Sequence, residues 1–200
     1  MNKVEMLADT DLIEQTKEFC KNHLLPIAGE LDKSNRFPEE LLGKMAEAGF
    51  FGMNYPLEYG GGGYDSVTTH LVIKEIAKAS AGVALTLHVQ FMAVDVLLKF
   101  GTEEQKQRYL PDLLSGRKVA AYTISEAQAG SDAAALTATA KKTEAGWLLK
   151  GAKFFCTNGG LADVYLVAFK TEPEAGAKGV SMFINTLNGG CRKRLCINVG

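Results

Sequence analysis

Metal-binding patterns are missing from this chain. The four cysteines, Cys20, Cys156, Cys191 and Cys196, form no CxxC pair, and His23, His70 and His88 form no HExxH run, so a metal site is not expected. Cys20 reads as a small residue on an apolar helix face. An excess of one charge is missing too. With 22 basic residues against 23 acidic ones, there is no electrostatic footprint for nucleic acid, and no basic amphipathic helix points to a membrane surface. Small molecules or protein partners are the expected ligands. The N-terminus lacks an apolar run of signal-peptide length and carries Glu5 and Asp9, acids that organellar transit peptides avoid; this predicts a cytoplasmic protein. Signs of disorder are also absent. A composition that is 46% hydrophobic permits one sizeable core or two modest ones.

Apolar residues at Leu12, Ile13, Thr16, Phe19, Cys20, Leu24 and Ile27 follow one face of a 3.6-residue repeat and predict a helix that Pro26 bends or ends. A second helix is expected from Pro38, with Leu41, Leu42 and Met45 on one side and Gly49 as its stop. Helical patterns resume from Asp65 to Ala79 and from Gly82 to Phe100. Thr102-Glu103-Glu104-Gln105 then makes a capping box that opens a helix towards Leu114. Between them, Gly60-Gly61-Gly62-Gly63 fits neither the P-loop nor the dinucleotide template and reads as a flexible interhelix loop.

After Ser115-Gly116-Arg117 the period changes. Tyr122-Thr123-Ile124 is β-prone, Thr137 to Lys142 is an exposed strand, and Glu144-Ala145-Gly146 is a hairpin turn leading to Trp147-Leu148-Leu149-Lys150. Val164 to Phe169 reads as a fully buried strand and Val180 to Ile184 as another. A helical part followed by a strand part argues for α+β architecture with a boundary near Arg117 and Lys118.

Two runs carry chemistry. Tyr122-Thr123-Ile124-Ser125-Glu126-Ala127-Gln128-Ala129-Gly130-Ser131-Asp132 begins as a strand and ends in a turn whose N–H groups and hydroxyl suit a phosphate. Lys153-Phe154-Phe155-Cys156-Thr157-Asn158-Gly159 offers a ring and a hydroxyl. If this second run is a strand, Phe155 and Thr157 point the same way, one covering a flat heteroaromatic ring and the other bonding its edge. Together they read as two walls of a flavin pocket. Glu126, a carboxylate near a turn, reads as structural rather than as a general base.

These runs resemble the acyl-CoA dehydrogenase family, whose members carry Tyr-x-x-Thr-Glu-Pro-x-Ala-Gly-Ser-Asp and later Gly-x-Lys-x-Trp-Ile-Thr-Asn-Gly. The likeness extends to Phe37-Pro38, Ala48-Gly49, Pro56-Leu57-Glu58-Tyr59-Gly60-Gly61 and Phe100-Gly101-Thr102-Glu103-Glu104-Gln105-Lys106. It implies a helical N-terminal domain over 1–117, an incomplete antiparallel β-barrel domain over 118–186 that binds FAD, and a divergent tail over 187–200. Tyr122, Thr123, Ile124 and Ser125 would lie along the flavin ring. Gly130 and Ser131 would meet the pyrophosphate, and Ser131 also the substrate. Phe155 would take the place of the family's tryptophan on the flavin face, Cys156 that of an aliphatic residue, and Thr157 would bond near the ring nitrogen that accepts hydride. Ser125 stands where a threonine is usual, and Ala127 where a proline is usual. Loss of indole contact at Phe155 amounts to about 0.5 to 1.5 kcal/mol; loss of proline at Ala127 adds about 0.4 to 1 kcal/mol of unfolded-chain entropy.

The implied reaction is α,β-dehydrogenation of an acyl-CoA thioester to the 2,3-enoyl-CoA, with electrons leaving to an electron-transferring flavoprotein and with homotetramers expected for full-length members. The likeness ends near Thr186. This reading expects a truncated form lacking the C-terminal domain and its catalytic glutamate, so no catalytic residue is assigned within the chain. A frameshift, premature stop or gene-model error is the first account of the tail, and a naturally short variant the second. An unclosed sheet predicts poor solubility or association. Two alternatives keep the fold: an acyl-CoA oxidase or related flavin monooxygenase, separated by reoxidation in air, and a catalytically dead fragment acting in binding or assembly, separated by an activity assay.

Overall fold

The computed structural model describes residues 8–186, and the chain divides after Lys118 into a helical unit and a sheet unit. In the first unit, helices start where side chains satisfy the open N–H groups of a first turn. Asp9 caps α1 (Thr10–Phe19), Asp65 caps α4 (Ser66–Ala79) and Ser80 caps α5 (Ala81–Phe100). The capping box at Thr102 and Gln105 forms as expected and opens α6 (Glu103–Leu114). Helix α3 (Glu39–Glu47) follows Pro38, and Gly49 ends it with φ of 72°.

Pro26 does not end the first helical course, which corrects that half of the expectation. The chain widens into a π turn over Cys20–Leu24 and continues as α2 (Leu25–Ser34), with Pro26 in its first turn. Proline has no N–H to offer the carbonyl four residues back, and its ring collides with that carbonyl in a regular α-helix. The wider turn, in which Leu25 N–H bonds Cys20 O, accommodates the ring. Apolar side chains buried in this unit include Leu24, Leu41, Met45, Val72, Ile76, Leu87, Val94 and Leu110, with α4 packed on α1 and on α5, and α5 on α6. Helix α5 is long and apolar enough to cross a membrane, but 56% of its most apolar window is buried inside the fold. Its apolarity is that of a core helix flanked by α4 and α6.

The Gly60–Gly63 run is not a loose loop. Gly62 N–H bonds Gly52 O, Gly63 N–H bonds Tyr55 O and Tyr64 N–H bonds Met53 O, at 2.8, 3.0 and 2.8 Å. A Cβ on Gly61 would run into the Tyr55 carbonyl. These glycines therefore permit one backbone to lie against another.

The second unit is built on β4 (Val164–Lys170), whose first six residues are all buried. Strand β1 (Ala120–Thr123) runs parallel to it over Val164 to Val167, and β5 (Val180–Thr186) runs antiparallel along it. Strand β2 (Thr139–Thr143) touches β4 in a parallel pairing at Lys170 and forms an antiparallel hairpin with β3 (Gly146–Lys150). The path is β1-β4-β2-β3, with β5 on β4. The sheet is thus mixed, and the expected antiparallel barrel is corrected. The reason lies in the connection: a chain that leaves β1 and makes the long excursion 124–163 before returning can lay β4 parallel, as a hairpin cannot. Trp147 meets Phe183 edge-to-face at 5.3 Å, and Phe183 meets Phe169 at 5.8 Å, so aromatic contacts join β3 to β5 and β5 to β4.

Candidate functional site

The two sequence runs come together in the excursion between β1 and β4. Asn158 Nδ2 donates to Ala120 O at 2.9 Å, Phe154 N–H donates to Ser125 O at 2.9 Å, and Lys153 Nζ reaches Glu126 at 2.7 Å. Between these, the Thr123 hydroxyl approaches the Cys156 thiol closely enough to oppose the larger effect of burial, which pushes that thiol up. Residues 153 to 158 therefore run antiparallel to residues 120 to 126, with the higher number in one falling against the lower in the other. No regular ladder forms, because side chains make most of the links. The expectation of a strand through Phe155 and Thr157 is corrected: Phe155 has φ of 53° and Asn158 φ of 65°, and Thr157 opens a turn.

Each candidate residue has a definite place. Tyr122 and Thr123 lie on β1, Tyr122 half-buried and Thr123 buried. Ile124 packs with Ala129, Leu136 and Ala168 in the core beneath, and Ser125 is half-buried beside it. Cys156 is buried, Thr157 half-buried, and Gly130 and Ser131 are exposed. Phe155 is 78% exposed. A bulky aromatic residue in the left-handed region carries about 1 to 3 kcal/mol of strain. Here it is held there by neighbours on both sides, Phe154 bonded to Ser125 O and Cys156 buried. The ring is thereby presented rather than packed away.

The phosphate-type turn is held by its own backbone. Glu126 N–H bonds Ala129 O at 2.7 Å and Ala129 N–H bonds Glu126 O at 3.2 Å, which sends the chain outward at Gly130 and Ser131. Asp132 then turns back to accept Ala134 N–H. No side chain or backbone lies within 4 Å of where a Cβ on Gly130 would stand.

Lys153 and Asn158 were not singled out by the sequence, and Glu126 was read only as structural. The carboxylate of Glu126 is buried and accepts from Lys153 Nζ, Ala138 N–H, Thr137 N–H, the Thr137 hydroxyl and Gln128 Nε2. Burial pushes its pKa up, but the Lys153 ammonium and the Thr137 and Ala138 donors outweigh this and hold it down at about 2. So engaged, it is not placed to take a substrate proton. Lys153 also donates to Ile124 O at 2.9 Å and stands 5.5 Å from the centre of the Phe169 ring. The signal available in sequence is an acid, Glu126, inside one run and a base, Lys153, opening the other. Among the described residues, Cys20 and Cys156 are free and buried, and no group of three or more His, Cys, Asp or Glu side chains stands together.

An exposed ring on one wall, an outward glycine-serine turn beyond the other, and a buried ion pair behind both make up the local geometry; the sequence and the fold that carry it are similar to those of known proteins. Residues 8–117 match the acyl-CoA dehydrogenase N-terminal domain and residues 121–192 the acyl-CoA dehydrogenase middle domain. An acyl-CoA dehydrogenase of Bacillus subtilis is 40% identical over 173 residues, covering 86% of this chain and 45% of the relative. Butyryl-CoA dehydrogenase from Megasphaera elsdenii superposes with a TM-score of 0.85 at 32% identity, covering 96% of this chain and 50% of that one. The FAD complex of PigA superposes at 0.81 with 33% identity over 90% of this chain and 48% of its own. The chain thus spans about half the length of the relatives it matches. With both sequence domains matched in order and the fold shared, the chain belongs to the acyl-CoA dehydrogenase family.

Proposed function

We propose that the sheet unit binds FAD and that the chain serves the α,β-dehydrogenation of an acyl-CoA thioester, with electrons passing to an electron-transferring flavoprotein. The observation that carries this is Phe155, an exposed ring fixed in a strained backbone next to the Ser125 carbonyl. Exposure of an aromatic face and retention of strain are both accounted for by a flat partner that covers the ring. The residues fit the dinucleotide: Phe155 for the ring face, Ser125 and Thr157 hydroxyls for its edge, Tyr122, Thr123, Ile124 and Cys156 for the wall behind, and Gly130 with Ser131 for the pyrophosphate. Ser131 also serves the substrate. Bound FAD supplies a two-electron acceptor that no side chain provides. What the protein contributes is orientation and water exclusion, through fixed donors that need no reorganisation. The proton taken from the α-carbon is assigned to no residue here.

The domain limits proposed are a helical domain over 1–117 and a flavin-binding domain over 118–186, with self-association into homotetramers as in full-length family members. The first test is titration of the purified protein with FAD, followed by absorption and flavin fluorescence. A yellow complex with quenched fluorescence supports the reading; a colourless protein that leaves added FAD unquenched ends it. Butyryl-CoA, longer and branched acyl-CoAs and an artificial electron acceptor then test the substrate class.

A further inference from the structure

Glu126 and Lys153 do more than neutralise each other. The carboxylate ties down the segment that leads into β2 through Thr137 and Ala138, at 2.7 and 3.0 Å from their backbone nitrogens. Its own backbone closes the bridge to Ala129 that sends Gly130 and Ser131 outward. The ammonium of Lys153 grips the Ile124 carbonyl, immediately before Ser125, while the next residue, Phe154, bonds Ser125 O. Both side chains are 3% exposed. One ion pair therefore meets the ends of all three segments that would contact the cofactor: the β1 exit, the glycine-serine turn and the Phe155 turn.

We propose that the Glu126–Lys153 pair is the positioning device of this site, fixing the Phe155 turn against the Ser125 wall and the Gly130–Ser131 turn so that ring and phosphate contacts are in register before a ligand arrives. Neither residue contacts the ligand; both act through their neighbours. The inference rests on the FAD reading for its functional meaning but not for its geometry. A buried pair is weak evidence for stability, because desolvation offsets the attraction. Its retention here follows from what it aligns. A methionine in place of Lys153 would fill similar volume yet leave Ile124 O without its ammonium donor, and the peptide before Ser125 would lose its anchor.

The experiment compares the wild-type protein with Lys153→Met and with the double variant Glu126→Gln/Lys153→Met, which removes both charges and so avoids a lone buried carboxylate. FAD affinity is measured by flavin fluorescence below the unfolding midpoints, and hydrogen exchange is followed at the Phe154 amide without FAD. Expected in both variants is a rise of roughly tenfold in the dissociation constant, as when a group that orients a ligand contact is lost, together with faster Phe154 exchange. The double variant should recover thermal stability but neither of these. If it recovers wild-type affinity and Phe154 protection along with its stability, the pair only holds the fold and the proposal is overturned. If wild-type protein binds no FAD, the cofactor reading fails, and Phe154 exchange alone decides the positioning claim: unchanged exchange in the double variant overturns it.

Discussion

Phe155 concentrates the conflict between stability and function in one residue. Its φ of 53° suits glycine, and its ring is largely exposed, so Phe155→Gly removes strain at little loss of burial. Relief of about 1 to 3 kcal/mol of strain is partly offset by about 0.5 to 1 kcal/mol of added unfolded-chain entropy. The expected result is a protein at least as stable in urea, and by roughly 1 kcal/mol more so, yet with FAD affinity down about two- to tenfold from the lost ring contact. Glu126 contributes to the acid response. Its folded pKa lies below its unfolded value, so the unfolded chain takes up protons first as pH falls, and the stability it contributes is present above the unfolded pKa and is lost on descending through the folded one. The loss should run from about pH 5 towards its folded value of about 2 and amount to at most about 3 kcal/mol. Denaturant curves across that range should be flatter for Glu126→Gln/Lys153→Met than for wild type; equal slopes would assign the acid sensitivity elsewhere. At this scale the sequence showed the candidate hydroxyls and rings but not the direction of Phe155. A strand rule put Phe155 beside Thr157 on one face, and the left-handed turn replaced that rule.

Among the elements, those with complete local signals were legible. The Thr102–Gln105 capping box opens α6 as its residues imply, and the helical pattern from Asp65 forms α4; the pattern read from Gly82 begins at Ala81, behind a Ser80 cap that the apolar spacing does not mark. The π turn was not legible, since periodicity shows an apolar face but not how the backbone passes a proline. The Gly60–Gly63 run misled for a related reason: glycine marks both freedom and close approach, and only the Gly52 to Tyr55 backbone beside it decides which. Strand β4 read correctly as buried from its unbroken apolar run. It is bordered by β1 and β5, and Leu166 at its middle is 1% exposed. Leu166→Ala should cost about 2 to 5 kcal/mol in urea unfolding of the protein, whereas a cost under 1 kcal/mol would show that the strand is not the centre of its unit.

For the molecule as a whole, the hairpin of β2 and β3 is the exposed liability. Strand β3 ends the sheet path, with Trp147 49% and Leu148 61% exposed, and apolar edge strands pair with other chains. Leu148 stands opposite Lys141, so Leu148→Glu places opposite charges across the ladder. The expected outcome is less light scattering at high concentration with unfolding unchanged to within about 0.5 kcal/mol. Undiminished scattering would locate association on another surface. The sequence by itself determined most of the helical segments, the capping box at Thr102, the hairpin after Thr143, and the family that the motifs resemble, because these rest on neighbours within a few residues. Tertiary structure alone decided that β1 and β4 run parallel, that Lys153 is buried on Glu126, and that Phe155 faces outward. Those depend on what the excursion 124–163 brings back beside β1, and contacts between residues so far apart leave no local mark in the order of the amino acids.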